Sequence, residues 1–389
     1  MRIAYVSADP GVPVYGSKGC SVHVQEVVRA LMGEGAEVVL FTNRVGGETP
    51  EDLRGVRVHA LPALPKGELA ARERAALGAN DILRAGLEYE GPFDVIYERY
   101  SLWSFAGMAF AGDAGTPGLL EVNAPLIEEQ HKHRGLVHAS EAEAVARRAF
   151  AAAAALLPVS REVGVYLKAF PVALGKVHVV PNGVNLGRFA LPRRVTRDTF
   201  TVGFVGTLKP WHGVDTLLEA FALLKLELPQ ARLLVIGEGP ERAALMAEVA
   251  RLGLSDSVRF TGAVAPEDVP RLLAQMDAAA APYPPLADFY FSPLKVYEYL
   301  AAGLPVAASR VGQLGDLLTD GVDGLLYEPG DARALAEALA RLGQDASLRE
   351  RLGQAGRAKV ASEHSWQRVA RRILSIAEGA RGQRAQVHG

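Results

Sequence analysis

Residues 288–309 read DFYFSPLKVYEYLAAGLPVAAS. The stretch predicts a loop, one short helix and a buried strand. Ser292 is a good N-cap, and Pro293 fits the first helical position, where a missing N–H costs nothing. Leu294, Val296 or Tyr297, and Leu300 follow at near-helical spacing, and Gly303 and Pro305 end the helix. Its polar residues exceed what packing requires. Lys295 and Glu298 lie three apart and share one side of the helix. Leading amides from Ser292 to Lys295, the helix dipole and an ammonium group make an anion site, with a carboxylate one turn further on. That chemistry suits a diphosphate joined to a sugar. A solvated Lys–Glu pair is the plain alternative.

Outward from this stretch, short aliphatic runs alternate with amphipathic ones. In the first half, strands are expected at 2–8, 37–42, 56–61, 94–97, 118–122, 156–159 and 177–180. Between them lie helical stretches at 21–32, 68–89, from 102 onward, 128–153 and 161–170. Residues 185–199, with Pro192, Arg193, Arg194 and Arg197, break the rhythm and read as a linker. The alternation restarts with strands at 200–205, 233–236, 258–260 and 278–281 and helices at 212–226, 241–252 and 266–275. After the 288–309 stretch come a turn at Asp323–Gly324, helices at 332–342 and 347–362, and a last helix at 367–378. Apolar strands without polar alternation, separated by helices, imply parallel sheets covered on both faces. At 389 residues the chain exceeds what one core usually serves. The expected fold class is α/β, with two Rossmann-like doubly wound domains at 1–190 and 191–364. Residues 365–389 are expected to cross back onto the first.

Composition narrows the partners. A formal net charge of −2 gives no basic surface for nucleic acid. One cysteine, Cys20, allows no internal disulfide and fits a reducing compartment. The opening MRIAYVSADPG reads as strand and turn without a signal-type apolar core, and no apolar run reaches membrane-spanning length. A cytoplasmic location is expected. Arg368, Arg371, Arg372 and Arg381 on the last helix offer a weak peripheral contact with anionic lipid, or simply a solvated face.

In open parallel sheets, ligands bind beyond the carboxyl ends of the strands. Residues 9–20, DPGVPVYGSKGC, carry Gly11, Gly16, Gly19 and Lys18 after the first strand. The spacing is not GxGxxG, and Thr42 and Asn43 supply no acid after the second strand, so a dinucleotide site is poorly supported. Residues 206–213, GTLKPWHG, place Gly206, Thr207, Lys209 and His212 beside Trp211, expected to be buried. Gly237 to Gly239 and residues 261–264 leave strands through glycine and expose backbone to a flat ligand such as a base. In the first half, Arg99, Glu121 and Asn123 stand at strand ends. They either pair with one another or recognise an acceptor. The histidines are scattered, with no HxxxH, so no metal site is expected.

Together, SPLKVYEYLAAGLPVAAS, VGTLKPWHGVDTLLEAF, LLVIGEGPERAAL, VRFTGAV, DGLLYEPGD, VPNGVNLGRF, LPVSREV and the Gly19-x-x-x-His23 helix entry resemble the retaining glycosyltransferases of family 4. The resemblance covers nearly the whole chain and implies the GT-B fold. In that fold two Rossmann-like domains face across a cleft, the second holding a nucleotide-sugar donor and the first an acceptor. By resemblance, Glu298 holds the donor ribose, the backbone of Pro293 and Leu294 meets the diphosphate, Gly19 approaches the donor and Val264 meets the base. The full donor set is then Gly16, Gly19, Gly206, Thr207, His212, Gly237, Val264, Tyr290, Ser292, Pro293 and Leu294. Lys209, Lys295 and Glu298 are the expected catalytic groups, and Arg99, Glu121 and Asn123 the acceptor set. Four positions depart from the family pattern. Thr207 and His212 replace an arginine and a lysine, Tyr290 replaces an acid eight residues before Glu298, and Asn123 replaces a histidine. Lys209 and Lys295 are left to supply the missing charge.

The implied activity is transfer of a hexosyl group from a nucleotide-diphosphate sugar to an acceptor hydroxyl. Attack comes from the departing group's own face, so configuration is retained, and neither metal nor cofactor takes part. Closure of the domains would exclude water. The acceptor is left open as a sugar, a lipid-linked sugar or a small molecule. A sugar-nucleotide-binding protein without turnover and a Rossmann oxidoreductase are the competing readings.

Overall fold

A computed structural model describes residues 1–191, 199–286 and 289–388, with side chains described as far as 382. Pro192, Arg193, Arg194 and Arg197 of the expected linker, and Asp288 before the short helix, lie outside the described residues. The chain divides into two units. Unit 1 comprises Met1–Asn182, Tyr290–Ser292 and Trp366–Gly389, and unit 2 comprises Gly183–Phe289 and Pro293–Ser365.

Unit 1 runs β1 (Arg2–Ser7), α1 (Gly19–Gly33), β2 (Glu37–Thr42), β3 (Arg57–Ala60), α2 (Leu69–Glu90), β4 (Val95–Arg99) and α3 (Ala106–Asp113). It continues β5 (Gly118–Val122), α4 (Leu126–His133), α5 (Ala139–Ala152), β6 (Ala155–Pro158) and α6 (Arg161–Lys168). The sheet order is β3-β2-β1-β4-β5-β6, and every neighbouring pair is parallel. Central strands are buried along nearly their whole length, as strands covered on both faces must be.

Unit 2 repeats the plan with different residues: β7 (Thr201–Val205), α7 (Val214–Glu227), β8 (Arg232–Ile236), α8 (Arg242–Arg251), β9 (Val258–Phe260), α9 (Val269–Leu273) and β10 (Ala278–Ala281). Then follow α10 (Leu294–Ala301), β11 (Val306–Ser309), α11 (Gln313–Leu317), β12 (Leu325–Tyr327), α12 (Ala332–Gln344) and α13 (Ala346–Glu363). Its sheet is ordered β12-β11-β10-β7-β8-β9, the doubly wound order again. One face of that sheet, through Val202, Phe204, Leu233 and Val235, packs on Leu217, Phe221 and Leu224 of α7 and Leu335 and Leu339 of α12.

The last helix, α14 (Trp366–His388), belongs to unit 1. Trp366 packs edge-on to His23, Arg371 pairs with Glu34 at 3.0 Å, and Arg381 reaches Asp94 at 3.2 Å. Two of the arginines expected to face lipid are thus engaged within the protein. Among the described residues, no helix is long and apolar enough to cross a membrane.

Four expectations need correction. The helix expected over 128–153 is two, α4 and α5. Gly135 at φ 80° breaks it, and Glu73 of α2 accepts the amides of Val137 and His138 at 3.1 and 2.9 Å. Residues 177–180 form no strand. His178 and Val180 donate to β6 at 2.9 Å each, but Pro158 has no N–H to return a bond. Ser292 does not cap α10: Pro293 is the N-cap, and the carbonyl of Ser292 accepts Nδ2 of Asn182 at 2.8 Å within unit 1. Finally, no strand was expected after the turn at Asp323–Gly324, yet Leu325–Tyr327 form β12; three residues carry no period.

Asn80 of α2 shows how unit 1 fixes a loop beside its strand ends. It is buried, donates to the carbonyls of Leu77 and Trp103 at 2.8 Å each, and accepts the amides of Phe105 and Ala106 that open α3. All four hydrogen-bonding sites of the amide are therefore used. Asn80→Ala leaves buried amides and carbonyls unpaired and is expected to cost roughly 2–4 kcal/mol, read as a lower urea midpoint. Asn80→Asp keeps the two accepted bonds but sets a buried carboxylate oxygen against the carbonyls of Leu77 and Trp103, so it should lower the midpoint at least as far.

Candidate active site

In a doubly wound sheet the loops diverge where the strand order reverses, which in unit 2 lies between β7 and β10. The loop after β7 holds Gly206 to Gly213, and the loop after β10 leads into α10. Tyr299 locks the two together, its hydroxyl oxygen accepting the amide of Val205 at 2.7 Å. Gly213 permits the approach. It sits at φ 65°, and a Cβ there would fall 1.7 Å from the carbonyl oxygen of Pro282.

Lys295 points into this junction and is only 9% exposed. Its Nζ has no hydrogen-bond partner among the described residues and lies 4.1 Å from the ring centroid of Phe204 and 5.2 Å from that of Tyr283. A Cβ on Gly206 would come within 2.8 Å of it, so glycine is what leaves the amine room at the end of β7. Burial pushes the amine down from the ordinary lysine range to about 7, while the Glu298 carboxylate pulls the other way. The aromatic faces also favour the charged form. A buried ammonium among aromatic rings, with its hydrogen-bond donors unused among the described residues, attracts negative charge.

His212 stands beside it, its ring 5.9 Å from Tyr283 and 6.2 Å from Phe204. Nδ1 donates to the Thr207 carbonyl, which fixes the tautomer and leaves Nε2 as an acceptor. Burial, and then the charges of Lys295 and Lys209, push the imidazole down to about 3. His212 is therefore neutral and adds no positive charge at neutral pH. Lys209 is half-buried with Nζ 5.4 Å from the Trp211 ring; Trp211 is half-buried too, not buried as expected. Thr207 is exposed and serves through its carbonyl. The amide of Gly237 donates to the carbonyl of Gly262 at 3.1 Å, which fixes that strand end beside Gly206, and Val264 is half-buried on the next loop. Pro293, Leu294 and Glu298 lie at the start and on the exposed edge of α10. Unit 2 thus gathers Gly206, Thr207, Lys209, His212, Lys295 and Glu298 in one place.

The other expected residues belong to unit 1. Glu121, at the end of β5, is the hub. Its carboxylate accepts Nε2 of His23 at 2.8 Å, Arg99 at 3.0 Å, the Tyr97 hydroxyl and the Asn123 amide. Burial pushes this carboxyl up, but His23, Arg99 and Tyr97 outweigh it and hold it well below the usual carboxylate range. Arg99, Glu121 and Asn123 therefore do pair with one another, and Glu121 is only 3% exposed. Gly19 is exposed as the first residue of α1, and Gly16 is held by Gln25, which donates to its carbonyl at 3.0 Å. Tyr290 and Ser292, expected in the donor set, cluster with unit 1. The Tyr290 hydroxyl bonds to Glu129 at 3.2 Å, and its carbonyl accepts Ser160 Oγ at 3.0 Å.

Several participants escaped the sequence reading. Phe204 and Tyr283 look like ordinary core aromatics, and only the fold turns them toward Lys295. His23 was noted as a spacing, but its bond to Glu121 joins residues 98 positions apart. Among the described residues, no group of three or more His, Cys, Asp or Glu side chains is placed to hold a metal.

Comparison with known proteins agrees with this geometry. Residues 17–188 match the family described as Glycosyltransferase Family 4, and residues 199–345 match Glycosyl transferases group 1. The D-inositol 3-phosphate glycosyltransferase of Stackebrandtia nassauensis is 30% identical, the match covering 96% of this chain and 90% of that one. Its counterpart in Salinispora arenicola is 29% identical over 92% of this chain and 86% of its own. Among solved structures, sucrose-phosphate synthase from Thermosynechococcus elongatus superposes with a TM-score of 0.75 at 22% identity, covering 97% of this chain and 98% of that one. Anabaena HepE, in complex with UDP and glucose, gives 0.74 at 20% identity, covering 97% and 100%. These matches leave the oxidoreductase reading without support. The chain belongs to glycosyltransferase family 4 and is a glycosyltransferase with the GT-B fold.

Proposed function

We propose that this enzyme moves a hexosyl group from a nucleotide-diphosphate sugar to an acceptor hydroxyl with retention of configuration, without a metal ion. One observation carries the donor reading: the buried, unpartnered ammonium of Lys295 at the end of β7, beside the leading turn of α10. As the sugar–phosphate bond breaks, negative charge grows on the diphosphate. Lys295 and the α10 amides, already aimed there, stabilise it without reorganising, and one such contact is typically worth roughly 3–4 kcal/mol. Glu298 would hold the ribose hydroxyls, and Val264 and Gly237 the base. No nucleophilic carboxylate is assigned, so attack comes from the face the diphosphate leaves, and its oxygen takes the acceptor's proton. Arg99 and Asn123, held by Glu121, would orient the acceptor. UDP-bound relatives of the same fold make UDP the first base to try.

Thermal-shift measurements with UDP, GDP, ADP and TDP are the direct test, since a ligand that binds the native state raises Tm. One nucleotide is expected to raise it clearly, with the shift lost in Lys295→Met and in Glu298→Ala; no shift with any of them overturns the donor reading. Turnover should survive EDTA, and proton NMR of the product should show the donor's anomeric configuration. An inverted product would exclude same-face attack.

The empty protein bears a stability cost for its buried amine. Lys295 has its folded pKa lowered to about 7 from the ordinary 10.5, so between those values the unfolded chain binds the proton and the folded one does not. Stability of the empty protein therefore rises with pH across that window, and the cost is fully present below it. Lys295→Met should stabilise the empty protein by about 3 kcal/mol at pH 6 and by little at pH 10, while abolishing donor binding. Tm at the two pH values checks it.

A further inference from the structure

Where the family pattern has an arginine and a lysine in the loop after β7, this chain has Thr207, which is exposed, and His212, which is neutral. Lys295 is left as the responsive cation, yet it is buried against Phe204 and Tyr283 with no hydrogen-bond acceptor in reach. Such a site favours the uncharged amine until an anion enters. The ionisable groups that face it are Glu298 and Tyr299 from α10, Tyr283 from the loop after β10, and His212 and Lys209 from the loop after β7. Burial pushes both Tyr283 and Tyr299 above the ordinary tyrosine range, so both stay protonated near neutrality. His212 stays neutral down to about 3.

We propose that the donor's diphosphate enters this site together with one proton from solvent, which lodges on Nζ of Lys295 and is released again when the nucleotide leaves. The proposal rests on the donor reading above. The balance is simple: amine, proton and diphosphate combine to an ammonium–diphosphate pair, and no other bond forms or breaks. The free amine titrates near neutrality, at about 7, whereas an amine held against two phosphates titrates far higher. Donor affinity must then fall as pH rises above about 7, even though the charge of the diphosphate is constant there.

Calorimetric titration of the full chain with UDP-glucose, whose diphosphate has no proton to lose near neutrality, is the test. ADP-, GDP- or TDP-glucose replaces it if the thermal shift selects another base. Run at pH 8 in HEPES and in Tris, which differ in ionisation enthalpy, it should show about 0.9 proton taken up per donor bound. Affinity should drop roughly 5-fold from pH 7 to pH 8, where the uracil ring is still neutral. Lys295→Arg, charged throughout, should bind with no uptake and a flat pH profile. Uridine, with no phosphate, should cause no uptake in the unaltered protein. Binding of the nucleotide sugar with no uptake and pH-independent affinity overturns the proposal and leaves the donor reading standing. So does uptake that persists in Lys295→Arg. Failure of every nucleotide sugar to bind overturns the donor reading itself.

Discussion

The cost of taking a charged amine out of water governs unit 2 of this enzyme. Lys295 is enclosed by aromatic rings and a glycine-lined strand end, and nothing in its own unit satisfies it. Elsewhere the fold meets comparable costs in full. Glu121, as deeply buried, is surrounded by four donors, and Asn80 uses every hydrogen-bonding site it has. The contrast separates architecture from function. A satisfied buried group holds strands and loops in place, whereas an unsatisfied one is stored affinity for whatever completes it.

Position follows from topology. Both sheets reverse their strand order in the same way, and in unit 2 the loops on either side of the reversal are drawn together by the Tyr299–Val205 bond and the close approach at Gly213. The sequence of the loop after β7 then sets the character of the pocket. A neutral imidazole in place of a lysine removes a permanent charge and presents an acceptor, Nε2, where a lysine has only donors. Positive charge around it accordingly comes from Lys295 and Lys209.

Much of this was legible in the residues. Uninterrupted aliphatic runs such as 278–281 and 306–309 can only be interior parallel strands, and Gly303 with Pro305 marks the end of α10. The Lys295–Glu298 spacing singled out the lysine that the fold buries without a hydrogen-bond partner among the described residues. What failed to show depends on distant partners. Ser292 is a good cap by local rules, but Asn182 engages its carbonyl and its hydroxyl oxygen, and the helix starts one residue later. The 128–153 stretch has helical composition throughout, and Glu73, far away in sequence, stabilises the break. The pairing of Arg99 with Glu121 was one of two equal readings; register decided it, because the two residues lie directly opposite each other in adjacent strands.

The membership of residues 290–292 in unit 1 has a bearing on ancestry. The chain passes between units at 182/183, 289/290, 292/293 and 365/366, four crossings in all. A protein divided by one junction can exchange a half with a cousin through a single recombination event. Here a swapped unit 1 would arrive without its three-residue strap and its terminal helix unless separate exchanges brought them along. Halves connected in this way are less readily exchanged as whole modules than halves joined once.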